Sequence, residues 1–455
     1  MGCCNRWCGL VAGAVFGAAV AILGGILIPV GNIIIEGTVE KEAVIEPGTT
    51  AYDNWVSTAA TVYRQFWLFD LKNAQEVLDH GAMPKVVEKG PYTYRTRYLP
   101  KENITFDNHT ASFTLPLGAI FEPSMSVGPE EDEVTTLNLF VAGAYSLIEK
   151  KDHIFLEIYI RASKSSLFQR RTIKEMLWGY KEPLLAGLTG LFANYTEQKD
   201  GPYTIFTGKD DISKVGMIDS WRGEKNLTFW NDTYCNMING TDASSFPPFV
   251  DKKKPLYFFS SDICRSVSAS FSQKRDLKGI EVYRYTLEQN TLAAPTVNPD
   301  NQCYCRDPLA SKNCSVAGAL DISSCQDSQK TYLHLSAPLP LREEILMLFL
   351  FFYQITGFTL GFAKRIQVNM MYGPSNVVTV LKKVKDYTIF PLVWLNETAV
   401  LDEETANMFK KELLSRINML ETIQWTLLSV GVGIFVLCLA GFCMARRSHT
   451  QSETI

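Results

Sequence analysis

Histidine is scarce in this chain. Five occur in 455 residues, at His80, His109, His153, His334 and His449, and no two stand at metal-ligand spacing. His-Glu-x-x-His, Gly-x-Ser-x-Gly, a phosphate loop and a dinucleotide fingerprint are absent as well. Nothing therefore favours metal-assisted hydrolysis, serine acyl transfer or nucleotide chemistry, and the expectation is a protein that is not an enzyme, with no cofactor and no metal. A basic surplus is also missing. Lys plus Arg number 44 against 48 Asp plus Glu, a formal net charge of -4. Nucleic acid is thereby excluded as the main partner, because neutralising a phosphate backbone needs an excess of cations. No internal repeat or low-complexity linker divides the chain, so one large body is the simplest reading of its length.

Long apolar runs are present at both ends. Cys8 to Val30 and Ile423 to Ala445 carry no charge. A bilayer core about 30 Å thick needs roughly 20 such residues as helix. The first run is long for a cleaved signal and ends in Ile28-Pro29-Val30 rather than a small-residue cleavage pattern, so an uncleaved anchor is expected. The expected organisation is a cytosolic tail over 1–7, a transmembrane helix over 8–30, an ectodomain over 31–422, a second transmembrane helix over 423–445 and a cytosolic tail over 446–455.

Sequons set the orientation. Asn-x-Ser/Thr occurs at Asn103, Asn108, Asn194, Asn226, Asn231, Asn239, Asn313 and Asn396, all in the loop between the runs and none in the tails. That distribution makes the loop extracellular or lumenal and glycosylated. Cysteine placement agrees. Cys235, Cys264, Cys303, Cys305, Cys314 and Cys325 are an even set in an oxidising compartment, which reads as three disulfides with the connectivity open. Cys3, Cys4, Cys8, Cys438 and Cys443 lie in or beside the apolar runs, where thiols are candidates for palmitoylation.

The loop reads as β-rich with helical interruptions. Lys85 to Glu88, Tyr92 to Tyr98, Ala111 to Leu115, Val282 to Leu287 and Arg365 to Met371 alternate with strand period. Helix spacing appears over Leu137 to Ile148 and Ile154 to Tyr159, and Thr172-Ile-Lys-Glu175 is a capping box, so three short helices are expected within 135–180. Asp402 is placed to cap a long helix entering the second run.

Two charged stretches are candidate surfaces. Arg161, Lys164, Arg170, Arg171 and Lys174 lie on or beside the helical cluster, and Glu130, Glu131, Asp132 and Glu133 form an acidic run. Either can be a plain solvated face. The sharper readings are an entry for anionic acyl chains or oxidised lipoprotein and a docking patch for a basic matrix protein. Burial of each CH₂ contributes roughly 0.8 kcal/mol, so a long acyl chain in a dry cavity gains on the order of 10 kcal/mol gross. Surface ion pairs contribute about 0–1 kcal/mol each. Any lipid would thus be held by apolar contact and steered by charge.

The segments MGCC, CGLVAGAVFGAAVAILGGILIPVG, RQFWLFD, KGPYTYR, GAIFEPS, SKSSLFQ, LWGY, LLAGL, NGTDASSFPPF, SSDICRS, NPDNQCYC, ITGFTLGFAKRIQVN and PLVWLNET resemble the class B scavenger receptor family over nearly the whole chain. The resemblance implies an α+β fold: an irregular β-barrel ectodomain with a lipid tunnel and a helical apex, anchored by two transmembrane helices. It implies a plasma-membrane receptor, present also in lipid rafts and Golgi, for long-chain fatty acids, oxidised low-density lipoprotein and thrombospondin-type repeats. Membrane lipid and a cytosolic PDZ or kinase partner are further expected contacts. Adhesion to a matrix protein, high-density lipoprotein reception and a lysosomal membrane role are the alternatives. Carried over by residue, it pairs Cys235 with Cys303, Cys264 with Cys325 and Cys305 with Cys314, places acylation at Cys3, Cys8 and Cys443, and makes Thr93 a phosphorylation target. It assigns ligand contact to Lys164 and Arg161, and thrombospondin contact to Glu130–Glu133.

Three departures stand out. Ala162 occupies the position of a ligand-contacting lysine, with Lys164 retained and Arg161 adjacent. The tail ends Glu453-Thr-Ile455 and holds no lysine. Ile345 to Tyr353 is continuously apolar, too short to span a bilayer, and reads as a buried strand or an altered segment of the barrel wall.

Overall fold

A computed structural model of the chain describes residues 6–57, 60–147, 152–182, 188–193, 195–305, 314–315, 318–325, 334–336 and 349–452. Two compact units emerge: 1–42 together with 402–455, and Ala43–Leu401.

The terminal unit is helical. α1 spans Arg6–Ala43. Two further helices, α7 (Glu403–Phe409) and α8 (Ser415–Ser452), run on through one π-helical turn at Lys410–Leu414, and Asp402 Oδ1 accepts the Thr405 amide at 2.7 Å. The expected Asp402 cap and continuous helix are both present. Trp7–Ala43 and Glu403–Arg447 are long and apolar enough to cross a membrane, and each is longer than the apolar run that marks it in sequence. Small residues let α1 and α8 touch. A Cβ on Gly24 would stand 2.5 Å from the Leu428 amide nitrogen, and one on Gly431 would collide with the Ala21 backbone. Gln424, 3% exposed, donates through Nε2 to the Leu27 carbonyl at 2.9 Å. In hydrocarbon that amide has no water to turn to, so the bond joins the helices.

The second unit begins with α2 (Thr50–Val56), β1 (Val62–Leu71), α3 (Ala74–His80), β2 (Val86–Thr96), β3 (Glu102–Asp107), β4 (Thr110–Pro116) and β5 (Ala119–Phe121). Next come β6 (Glu133–Leu137), α4 (Leu139–Leu147), α5 (His153–Ser163), β7 (Phe168–Thr172), α6 (Ile173–Trp178), β8 (Tyr180–Lys181) and β9 (Leu188–Thr189). The remaining strands are β10 (Lys199–Phe206), β11 (Ile218–Trp221), β12 (Leu256–Ser260), β13 (Arg265–Leu277), β14 (Ile280–Leu287), β15 (Ala319–Asp321), β16 (His334–Ser336), β17 (Phe349–Phe352), β18 (Thr359–Tyr372) and β19 (Thr388–Val400).

Among the described residues the main sheet has eleven strands along the path β12-β13-β14-β17-β18-β19-β1-β2-β5, with β15 and β16 joined at β18, and its pairings are antiparallel. A four-stranded sheet, β11-β10-β4-β3, lies apart from it. Strand period decides what is buried. On β1, Val62, Arg64, Phe66 and Leu68 point inward while Tyr63, Gln65 and Trp67 alternate between them. The largest apolar cluster gathers Phe66, Tyr92, Tyr94, Leu395 and Phe390 from this sheet with Val141, Leu156, Ile160 and Met176 from α4, α5 and α6. A second centres on Trp221, Phe113 and Trp230, and a third on Phe246, Tyr285 and Phe352. The apolar segment near Tyr353 supplies β17, which inserts between β14 and β18 and buries Leu350 and Phe352; residues 337–348 lie outside the described part.

Candidate functional site

The helical cluster forms as the sequence predicts. Thr172 Oγ1 accepts the Glu175 amide at 3.1 Å and Glu175 Oε2 accepts the Thr172 amide at 3.0 Å, so the capping box closes. α5 buries Leu156, Glu157 and Ile160 on one side. Its other side presents Ile154, Phe155 and Ile158, which are 49%, 65% and 57% exposed. Spacing of one turn places the three on one stripe. Arg161 continues the helix and Lys164 ends it in the left-handed conformation, φ 54°.

The cations at this site differ in what they hold. Arg161 Nε donates to Glu157 Oε1 at 2.6 Å, and Glu157 Oε2 accepts the Thr379 amide at 2.7 Å. Burial pushes the Glu157 carboxyl up, but these donors outweigh it and hold it below its ordinary value. Lys164 is exposed and makes no ion pair among the described residues. Arg170 pairs with Glu133 at 2.6 Å, and Lys174 pairs with Glu130. Arg171 lies 4.0 Å over the Tyr180 ring, 3.7 Å from Glu175 and 3.9 Å from Glu182.

The acidic run is thus the counter-surface of the basic cluster. Antiparallel pairing of β6 with β7 sets Glu133 opposite Thr172 and brings the two stretches side by side. Beyond Lys174, Glu130 accepts from Tyr94 Oη at 3.1 Å. Asp132 accepts from Tyr92 Oη at 2.6 Å and lies 3.3 Å from Lys89. The Tyr92 hydroxyl, followed by Lys89, holds the Asp132 carboxyl below its usual range against modest desolvation. Of the four acids only Glu131 is exposed and without a polar partner among the described residues. Sequence shows them as two independent patches; the fold ties them together at two pairs, Arg170 with Glu133 and Lys174 with Glu130.

A second charged group lies inside the sheet, and sequence reasoning missed it. Register sets Arg64 on β1 opposite Glu397 on β19, and Glu397 opposite Lys364 on β18. Arg64 Nη2 donates to Glu397 Oε2 at 2.7 Å, and Arg97 Nε donates to Glu397 Oε1 at 2.8 Å. Lys364 pairs with Asp262. Desolvation raises the Glu397 carboxyl, but Arg64 and then Arg97 prevail and bring it down to about 2.

Residues 15–442 match the CD36 family. The chain belongs to that family. It is 29% identical over 456 residues to scavenger receptor class B member 1 of Rattus norvegicus, covering 94% of this chain and 87% of that protein. It is 32% identical over 436 residues to lysosome membrane protein 2 of Homo sapiens, covering 88% of this chain and 87% of the relative. The sequence-based assignment to class B scavenger receptors therefore stands, as does the mixed fold of a large β-rich body with two terminal apolar helices.

The other expected residues fall as follows in this family member. Disulfides join Cys235 to Cys303, Cys264 to Cys325 and Cys305 to Cys314. Asn103, Asn108, Asn226, Asn231 and Asn239 are exposed. Asn396 is half-buried on β19, donating to Gln65 and accepting from Arg365, each at 3.3 Å. Asn194, Asn313 and Cys3 lie outside the described residues, as does the expected PDZ-type tail at 453–455. Cys8 and Cys443 are free and exposed. Thr93 is fully buried; its hydroxyl donates to the Met125 carbonyl at 2.6 Å and its amide donates to Ser126 Oγ at 2.9 Å. A kinase reaches that hydroxyl only if this contact opens.

Proposed function

We propose that this chain is a cell-surface receptor for lipid carried as anionic amphiphiles or as modified lipoprotein particles, with an internal lipid passage through its β-rich body. The observation that carries the reading is α5, where an exposed stripe of Ile154, Phe155 and Ile158 adjoins Arg161 and the exposed Lys164. Large apolar side chains exposed together on a soluble surface mark a contact for something apolar. Cations at the rim of that contact orient an anionic particle and speed its approach. Membership of the CD36 family and the name scavenger receptor class B member 1 of a relative support the same reading. Long-chain fatty acids and oxidised low-density lipoprotein are the proposed ligands. The proposed arrangement is plasma-membrane, with residues 31–422 outside, both tails cytosolic, and glycans and acyl chains at the sequons and thiols named above.

Lys164→Glu tests this at the surface. Binding of oxidised lipoprotein should fall severalfold at low salt and converge on wild type at high salt, because exposed charges are screened within about 10 Å at 0.1 M. Phe155→Ser should weaken binding at every salt concentration. Undiminished binding by both variants would remove α5 from the contact.

A second reading, adhesion through the acidic run to a thrombospondin-type repeat, is narrowed by the pairings. Glu130, Asp132 and Glu133 are engaged in the fold, so reversing all four acids would disturb β6 and β7 as well as any partner. Glu131→Lys alone is the clean test: lost repeat binding with intact lipid binding supports adhesion, and no change removes it.

A further inference from the structure

On β1 and β19 the face opposite the core carries two indoles side by side. Register sets Tyr63 opposite Thr398, Gln65 opposite Asn396 and Trp67 opposite Trp394. These six side chains are half-buried, while Phe66, Leu395 and Glu397, which alternate with them, are closed into the interior. Trp67 and Trp394 lie ring on ring, with centroids 3.8 Å apart and planes 2° from parallel. The Trp67 ring also rests against the β2 backbone, since a Cβ on Gly90 would stand 2.8 Å from it. The pair is therefore a fixed apolar step on the sheet. Large aromatic surface left half-open together marks a place where something covers it.

Asn396 stands beside that step. It is two residues from Trp394 on the same strand, so the two side chains share a face and sit about 7 Å apart. Its amide is held from two directions: Nδ2 donates to Gln65 Oε1 and Oδ1 accepts from Arg365 Nε, both at 3.3 Å. Residues 396–398 read Asn-Glu-Thr, an acceptor for an N-linked glycan. A glycosyl bond to Nδ2 replaces one amide hydrogen and leaves the other for Gln65. The first sugar would then leave the sheet in a direction fixed by these two bonds, within reach of the indoles. Asn226 offers a contrast. It is exposed, and Glu224 stands two residues before it.

We propose that the first sugar of a glycan on Asn396, an N-acetylglucosamine, packs on the Trp67–Trp394 pair and acts as a structural part of the sheet face. The C–H groups on one side of a pyranose are slightly positive and apolar, which suits the negative face and apolar body of an indole. Contact there removes indole surface from water and braces β19 against β1, strands that come from opposite ends of the body. The inference rests on the reading of residues 31–422 as exofacial and glycosylated, and says what one of those glycans does.

The test uses full-length protein from glycosylating cells, in nanodiscs, with site occupancy read by glycopeptide mass spectrometry. Under native conditions an amidase that cleaves N-glycans should release the one on Asn396 several-fold more slowly than the one on Asn226. Trp394→Val should remove that protection; protection that persists would belong to the half-buried asparagine alone and would overturn the proposal. Stability gives a second readout. Thr398→Val abolishes the sequon with little change of shape and leaves Asn396 in place. It should lower the melting temperature when Trp394 is present and leave it unchanged beside Trp394→Val, a coupling that two independent sites do not show. Trp394→Phe should keep part of the coupling, and trimming every glycan to its first sugar should keep all of it. Thr228→Val, which removes the Asn226 sequon, should show none. Additive effects of Thr398→Val and Trp394→Val, or an Asn396 that carries no glycan, would sink the inference. Empty sequons throughout the loop would instead bring down the orientation on which it rests.

Discussion

At the residue scale, Glu397 is a buried carboxylate held from two sides. Two guanidiniums neutralise it, one directly opposite and one from beyond the end of β2. Removing one partner from a buried pair typically costs about 3–5 kcal/mol, because the remaining charge is left desolvated. Arg64→Met should therefore lower stability by about that amount, less whatever Arg97 restores, measured by denaturant unfolding of the wild type and variant. The pH dependence has a definite sign. The carboxyl is depressed from 4.5 to about 2 in the fold. Between those values the unfolded chain binds the proton and the folded chain does not, so stability is fully present above pH 4.5 and drains away as pH falls toward 2. Glu397→Gln should flatten that acid limb; an unchanged limb would show that another group governs it.

None of this was visible along the chain. Arg64 and Glu397 are 333 residues apart, Arg97 and Glu397 300 apart, and nothing local marks either as inward-facing. An arginine in Val-Tyr-Arg-Gln-Phe-Trp reads equally well as solvent-exposed; only the β1–β19 register turns it inward with Phe66.

At the element scale, legibility was better where the determinants are local. The capping box at Thr172, the periodicity of α4 and α5 and the Asp402 cap all depend on residues within a few positions of one another, and each appears in the fold. The strand at β14 and the one at β18 were marked by alternation. Tyr98 was expected to continue the face of Tyr92 and Tyr94. Instead Arg97 adopts φ 52°, the strand ends at Thr96, and Tyr98 is 40% exposed. The charged patches misled because sequence shows sign and not partnership; β6–β7 pairing joins Glu133 to Arg170. The helix pair of the terminal unit offers a separate test. Gly24→Leu puts a branched side chain where the Leu428 backbone stands. Disulfide cross-linking between cysteines introduced on α1 and α8 should drop sharply in that variant, whereas Gly25→Leu, with open space at its Cβ, should leave it unchanged.

At the scale of the whole molecule, the proposed orientation rests on counting eight sequons between two apolar runs, and the expectation of three disulfides on six cysteines in the same stretch. Connectivity did not come from counting; it came from the family resemblance, and the structure joins the same partners. The β-rich body closes long loops with two of these bonds, over 68 and 61 residues, so reduction should destabilise it by a few kcal/mol, as expected for crosslinks that restrict the unfolded chain. Thermal unfolding with and without reductant measures this directly.

An apolar helix stands at each end of the described chain, with the whole β-rich body strung between them. A receptor held by one stalk is released by a single proteolytic nick. Here one nick, at either junction, leaves the other attachment intact. With residues 31–422 outside the cell, as proposed, shedding into the medium requires scission near Ala43 and again near Leu401, and a single-site protease should yield a clipped protein that stays with the cells.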